Sequence, residues 1–191
     1  MGKQNSFIKR LTDIFISLMI LIISTPILLF AALIIKLESK GPVFFLHERT
    51  GYKGKKFKLF KLRGMINNAL EVGPEITQLN DPRVTKFGKL LRRTSIDEIP
   101  NFINVLKGEM SLVGPRPDIA SITDKYNKEE RKVLNFKPGV TGISQINGRQ
   151  TLTPGSRVKM EIDYYNNANF FSDLVIMFKT IAIVLNNRGN I

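Results

Sequence analysis

Residues 14–35 form an apolar run of 22 positions without a formal charge. As one straight helix the run is about 33 Å long, close to the thickness of a bilayer's hydrocarbon core, so length alone reads as a transmembrane helix. Two features argue for another path. Pro26 falls near the middle, where it removes a backbone donor and crowds the preceding turn. Ser24 and Thr25 can return hydrogen bonds to the carbonyls it frees. The flanks are basic on both sides, with Lys3, Lys9 and Arg10 before the run and Lys36, Lys40, Arg49 and Lys53 onward after it. A spanning helix keeps positive charge on one side. A helix that enters, bends at Ser24-Thr25-Pro26 and returns satisfies both flanks. Residues 1–40 are therefore expected to form a re-entrant membrane anchor and 41–191 a compact cytoplasmic domain. A cleaved leader fits poorly, because the apolar run continues past its small residues and Pro26 spoils the cleavage site.

The rest of the chain alternates short patterns with turn signals. Residues 43–46 and 57–62 read as two strands joined through Gly51-Tyr52-Lys53-Gly54, a basic hairpin with one wet or headgroup-facing side. Residues 80–83 form a turn, and 85–93 a basic helix. Thr94-Ser95-Ile96-Asp97-Glu98 is expected to open another helix that runs through Phe102, Ile103, Val105 and Leu106 to Gly108. Two prolines and a glycine make 112–117 an ordered loop; 119–136 reads as a charged helix, and 137–142 as a second rigid loop. Phe171, Leu174, Val175, Phe178, Ile181, Ala182 and Leu185 recur at helical spacing and are expected to form a core face rather than a membrane-interface helix. The class is α+β, mostly helical, with a small hairpin and interfacial helices beside the anchor.

Composition narrows the chemistry. With no cysteine and one histidine, His47, the chain excludes thiolate sites and multi-histidine metal centres, leaves little room for a Ser-His triad, and must draw any acid–base or nucleophilic work mainly from carboxylates. The formal charge of +13 calls for an anionic partner. Asp97-Glu98 is the pair to single out. One reading is structural, since Ser95-x-x-Glu98 and Thr94-x-x-Asp97 both fit a capping box. The other is chemical: helix neighbours point about 100° apart, so the two carboxylates take separate jobs. Asp97, kept ionised at a helix N-terminus, would be the nucleophile, while Glu98 positions an acceptor or takes a proton. Lys89, Arg92 and Arg93 lie upstream, Arg116 and Arg149 downstream, and Arg116 is held between two prolines. Gly139 and Gly142 could bring amides to a phosphate. His47 reads as structural. There is no complete phosphate-loop or dinucleotide fingerprint.

Three blocks carry a resemblance over nearly the whole chain: Thr94-Ser95-Ile96-Asp97-Glu98-Ile99-Pro100, the stretch from Asn104 to Pro117, and Lys137-Pro138-Gly139-Val140-Thr141-Gly142 with Gln145-Ile146-Asn147-Gly148-Arg149. In these the chain resembles the small monotopic bacterial phosphoglycosyl transferases, the bacterial sugar transferase family. The resemblance implies that Asp97 attacks the sugar-bearing phosphorus of a UDP-sugar and releases UMP. Undecaprenyl phosphate then takes the phosphosugar from the aspartate. It implies magnesium (Mg2+) at Asp97 and the diphosphate, help from Glu98 in the second step, and a re-entrant helix bent at a Ser-Pro step. Arg92, Arg116, Arg149, Lys61 and Arg63 are the candidates for holding phosphate and substrate. The expected setting is the cytoplasmic face of the inner membrane, among anionic lipids; a homodimer is compatible with it, and nucleic acid is not an expected partner. The chain departs from the family pattern at Thr25, Gly64, Ile143-Ser144 and Glu161, and the extra membrane domain of larger relatives is not expected. A membrane-tethered nucleic-acid binder and a silent scaffold are the rival readings. Against the first stands the lack of exposed aromatics among the basic stretches. Against the second stands the intact Asp97-Glu98 pair.

Overall fold

The computed structural model describes residues 7–78, 80–148 and 153–185. α1 (Phe7–Glu38) is a helix of 32 residues that continues through Pro26. The hydroxyls of Ser24 and Thr25 both donate to the Leu21 carbonyl, at 3.3 and 2.8 Å, and so add bonds in the turn the proline weakens. One stripe of α1 is buried: Lys9, Asp13, Ser17, Ser24, Ala31 and Ile35. Those positions recur at the helical period, so a single face lies along the rest of the protein. The other faces are apolar and exposed, with Phe15, Ile22, Ile23, Leu29, Phe30 and Leu33 among them.

Charged side chains hold both ends of α1. At its start Lys9 Nζ meets Asp173 at 2.5 Å, and Asp13 accepts from the Ser111 hydroxyl and the Leu112 amide. At its end the Arg63 guanidinium donates to the carbonyls of Ile35, Ser39 and Lys40, at 3.2, 2.7 and 3.0 Å. Ile35 lies in the last turn of α1, where its carbonyl also accepts from the Ser39 amide, and Ser39 and Lys40 lie just past the helix end.

β1 (Phe44–Thr50) and β2 (Lys56–Leu62) form the expected antiparallel hairpin, Phe44 opposite Leu62 and Thr50 opposite Lys56. β1 is longer than its apolar run because alternation continues through charged residues: Glu48 faces out while His47 and Arg49 turn inward. α2 (Lys86–Thr94) follows, capped by the Thr85 hydroxyl, which accepts from the Gly88 amide at 2.9 Å. It packs closely on the end of β2, where a Cβ on Gly88 would meet the Gly64 carbonyl oxygen at 2.0 Å.

The continuous helix expected over 94–108 is two pieces. Ser95 takes the left-handed conformation (φ 57°) and ends α2; a 3-10 turn, Ile96–Glu98, comes next; α3 (Asn101–Lys107) then runs to Gly108. Neither proposed capping box forms. The Thr94 hydroxyl bonds back to the Leu90 and Leu91 carbonyls, and the Ser95 side chain makes no cap.

The two rigid loops also differ from expectation. Each contains a short strand, β3 (Ser111–Val113) and β4 (Gly139–Thr141), paired in parallel. The pairing depends on two glycines: a Cβ on Gly114 would sit 2.2 Å from the Lys137 carbonyl oxygen, and one on Gly139 would sit 2.1 Å from the Gly114 amide. Gly139 thus serves close backbone packing, and its amide is spent on the Pro115 carbonyl at 2.9 Å.

The expected helix over 119–136 breaks into α4 (Ala120–Thr123) and a 3-10 stretch, Glu130–Asn135. Between them the Asn127 side chain accepts from the amides of Glu129 and Glu130, while Glu130 accepts from the Asn127 amide. This is a reciprocal cap that starts a new segment. α5 (Ile143–Ile146), α6 (Pro154–Asn167) and α7 (Phe170–Leu185) complete the order.

The main core gathers Leu112, Val113, Tyr165, Ala168 and Ile176 under β3, α6 and α7. α7 corrects a further expectation. Its inward residues are Asp173 and Ile176, whereas Phe171, Val175, Phe178 and Ile181 are exposed. Helical spacing alone cannot say which of two apolar faces turns inward; Asp173 settles it by pairing with Lys9.

Candidate active site

Three elements converge on the Asp97-Glu98 turn. The hairpin contributes the row Lys61, Leu59 and Phe57 from β2, opposite Phe45, His47 and Arg49 of β1; directly paired residues share one face of a sheet. Leu59 and Phe57 are buried against Val105 and Met110, which fixes this face inward and carries Lys61 and Arg49 with it. The left-handed Ser95 swings the chain after α2 so that Asp97 is buried in the 3-10 turn. The loop after β3 brings Arg116 from a third direction.

Glu98 is where the cations meet. Its Oε1 accepts from Lys61 Nζ at 2.9 Å and lies 3.9 Å from Arg116 Nη1. Arg49 donates to the Pro117 carbonyl at 3.3 Å and lies close enough to Arg116 to feel its charge. Burial first, and then repulsion by Arg116, push the Arg49 guanidinium down to about 10. Two like charges in a partly buried site favour an anion between or beside them.

The Arg116 loop is supported from behind by acidic groups. Buried Glu161 accepts from the Arg116 amide at 3.1 Å and from the Ser144 hydroxyl at 2.6 Å, and burial raises its pKa. Asp118 is gripped by the Arg157 guanidinium and by the Tyr126 hydroxyl, whose own ionisation burial pushes up.

Several expected site residues thus come together: Asp97, Glu98, Lys61 and Arg116. Arg92 is partly buried, its guanidinium nitrogen beside Gly64 at the β2–α2 crossing. Arg63 directs its terminal nitrogens away from the pair, to carbonyls at the C-terminal end of α1. Arg149 lies outside the described residues. The expected helix-terminus field at Asp97 is also corrected, because Asp97 sits in a three-residue 3-10 turn and the α-helix begins at Asn101. The cations Lys61 and Arg116 meet its neighbour Glu98. Reading the sequence missed Arg49, Glu161, Asp118 and Arg157 as site-building residues. For Arg49 a signal existed, since it continues the inward alternation of a strand that ends in the site.

Among the described residues no three His, Asp or Glu side chains converge to form a metal cage. Magnesium does not require one, because it commonly binds through one or two carboxylates together with substrate phosphate oxygens. Asp97 is an oxygen donor of that kind, so the site's chemistry fits.

A long helix that turns its apolar faces outward, on a body that gathers cations at Glu98, is the build of a membrane-associated protein. The chain belongs to the bacterial sugar transferase family, whose model matches residues 4–187. It is 39% identical to a UDP-N-acetylgalactosamine-undecaprenyl-phosphate N-acetylgalactosaminephosphotransferase of Aeromonas hydrophila, over 96% of this chain and 45% of that protein. It is 37% identical to an undecaprenyl-phosphate galactose phosphotransferase of Salmonella typhimurium, over 98% of this chain and 42% of that protein. It is 36% identical to the exopolysaccharide production protein ExoY of Rhizobium meliloti, over 95% of this chain and 87% of that protein. The chain therefore spans less than half the length of the first two relatives and most of the third.

Proposed function

We propose that the protein transfers a sugar 1-phosphate from a UDP-sugar to undecaprenyl phosphate and releases UMP. It does so on the cytoplasmic face of a bacterial inner membrane, as the first membrane step in assembling a capsule, O-antigen, exopolysaccharide or glycoprotein glycan. The observation that carries this reading is the buried Asp97 next to Glu98, whose carboxylate draws in Lys61 and Arg116 with Arg49 nearby.

A diphosphate repels an attacking carboxylate, so the site must first neutralise it. Arg116, Arg49 and Lys61 supply fixed positive charge for this, and Arg116's planar fork suits a phosphate. An Asp97 carboxylate oxygen attacks the phosphorus bonded to the sugar. The bond from that phosphorus to the bridging oxygen breaks, and UMP leaves with the electron pair. The phosphosugar remains on Asp97 as an acyl phosphate. An oxygen of undecaprenyl phosphate then attacks the same phosphorus, and the Asp97 carboxylate departs. Glu98, held by Lys61, takes a proton from the acceptor phosphate when that group arrives singly ionised. Magnesium held by Asp97 and the donor's diphosphate would supply further charge neutralisation.

The contacts of α1 support a re-entrant membrane geometry. Both of its ends are held by charged side chains of the same body, which favours a helix that dips into the bilayer and returns over one that crosses it. The exposed apolar face of α7, beside the start of α1, extends the lipid-facing surface.

Asp97→Asn is expected to abolish UMP release and to leave no mass added to the protein after incubation with labelled donor. Glu98→Gln should slow turnover more than formation of the labelled protein. Normal UMP release from Asp97→Asn would contradict the covalent route.

A further inference from the structure

His47 sits between two site-building groups. Its Nδ1 lies 3.0 Å from Arg49 Nη2, and its Nε2 lies 3.4 Å from Glu75 Oε1. A guanidinium carries donors only, so Nδ1 must accept and the ring proton must reside on Nε2, pointing at the Glu75 carboxylate. Arg49's other terminal nitrogen donates to the Pro117 carbonyl, next to Arg116. Glu75 uses its second oxygen to accept from the Ser121 hydroxyl at 3.1 Å. The line therefore runs from the connection between β2 and α2, through β1, to the loop that carries Arg116.

We propose that His47 is a positioning residue: as the Nε2–H tautomer it holds Arg49 against the Arg116 loop and fastens that loop to the β2–α2 connection through Glu75. The inference rests on the reading of Arg116 as a phosphate-binding group. Its physical basis is repulsion. Arg116 repels Arg49 while Asp118, Glu75 and Glu98 attract it without a hydrogen bond, and among the described residues the acceptors that fix its direction are His47 Nδ1 and the Pro117 carbonyl. The groups facing His47 are Arg49 on its own strand, Lys61 on β2 and Glu75 on the connection. Burial, followed by Arg49, holds the ring's pKa below its ordinary 6.5 against the opposing pull of Glu75. Near neutral pH the ring is uncharged and accepts. Acidification places a proton on Nδ1, facing a guanidinium N–H, and the hold on Arg49 is lost.

The test uses the full chain in lipid nanodiscs containing undecaprenyl phosphate. UMP release is followed from the UDP-sugar turned over best in a panel that includes UDP-galactose and UDP-N-acetylgalactosamine. His47→Leu removes the acceptor and should raise the donor KM about tenfold, the scale of one lost charge-assisted hydrogen bond, with a smaller change in kcat. His47→Asn can present an amide oxygen to Arg49, and should hold the donor KM within about threefold of wild type at neutral pH. The wild-type donor KM should climb as pH falls below 6.5, and His47→Asn should lose that climb, a change that a purely structural histidine would not produce. A wild-type KM in His47→Leu, or an unchanged pH profile in His47→Asn, overturns the proposal. If His47→Leu fails to fold, as read by its thermal melt, the His47→Asn profile decides alone. Arg116→Ala separates the two readings. If it raises the donor KM while the His47 variants do nothing, only the relay falls; if it leaves the donor KM unchanged, the phosphate reading falls and the relay with it.

Discussion

Asn104 has no exposed surface and makes three side-chain hydrogen bonds, two of which join α3 to the hairpin. Its side-chain oxygen accepts from the Phe60 amide at 3.0 Å, and its amide donates to the Lys58 carbonyl at 2.8 Å and to Glu109 at 2.7 Å. Lys61 follows Phe60 directly, so this one side chain helps set the position of a site cation. Asn104→Ala leaves a backbone donor and acceptor without partners and should cost about 2 kcal/mol of stability, read from chemical unfolding in detergent. No property of an isolated asparagine announces this. The same holds for the arginines. Arg63 and Arg116 are alike as residues, yet Arg63 closes the end of a helix and Arg116 faces the carboxylates, because the contacts that separate them come from distant parts of the chain. Glu161 lies in the middle of a helix in sequence, and only the arrival of Arg116 and Ser144 gives its carboxylate a purpose.

Between residues and the whole, the decisive element is the turn from α2 to α3. Local pattern read it as the start of one helix with Asp97 and Glu98 in its first turn. The structure instead places Ser95 at φ 57°, a conformation that costs a residue with a Cβ about 1 kcal/mol or more. That cost is offset by the packing that buries Asp97 beside the hairpin. Ser95→Val should therefore lower stability by about 1–2 kcal/mol and depress UMP release, while Ser95→Gly should leave the unfolding midpoint level or raised. Equal effects of the two substitutions would show that the left-handed turn is not under strain. The other missed breaks have similar causes. Asn127 ends one helical segment by capping the next, and β3 pairs with β4 through glycines that read as loop formers in either stretch alone.

At the scale of the molecule, α1 and α7 are inverted relative to helices of a water-soluble fold. α1 turns Lys9, Asp13, Ser17 and Ser24 toward the body and most of its large apolar side chains outward. Such an arrangement is stable where the outside is hydrocarbon, and the inward charges are paired, Lys9 with Asp173 and Asp13 with the Ser111 hydroxyl. The ends of α1 test the topology. The chain has no cysteine, so Phe7→Cys and Lys40→Cys each provide a unique label. A membrane-impermeant maleimide should modify both in inverted inner-membrane vesicles and neither in intact spheroplasts. Labelling of Phe7→Cys from outside would establish a crossing helix and remove the support for a re-entrant anchor.

The amino-acid sequence by itself determined the features that depend on neighbours along the chain. These are the apolar run with its proline, the hairpin, the basic helix after Thr85, the excess of positive charge and the presence of a carboxylate pair where thiolate and multi-histidine metal sites were excluded. It also carried the family blocks around Asp97, Arg116 and Gly139. Tertiary structure alone decided which cations reach Glu98, that Arg63 serves α1, that His47 and Arg49 form a line to the Arg116 loop, and that the outer face of α7 is apolar. Those outcomes depend on groups that approach across dozens of residues, such as Lys61 and Glu98 or Arg116 and Glu161. Pattern and propensity act over a few positions, and they hold no record of such meetings.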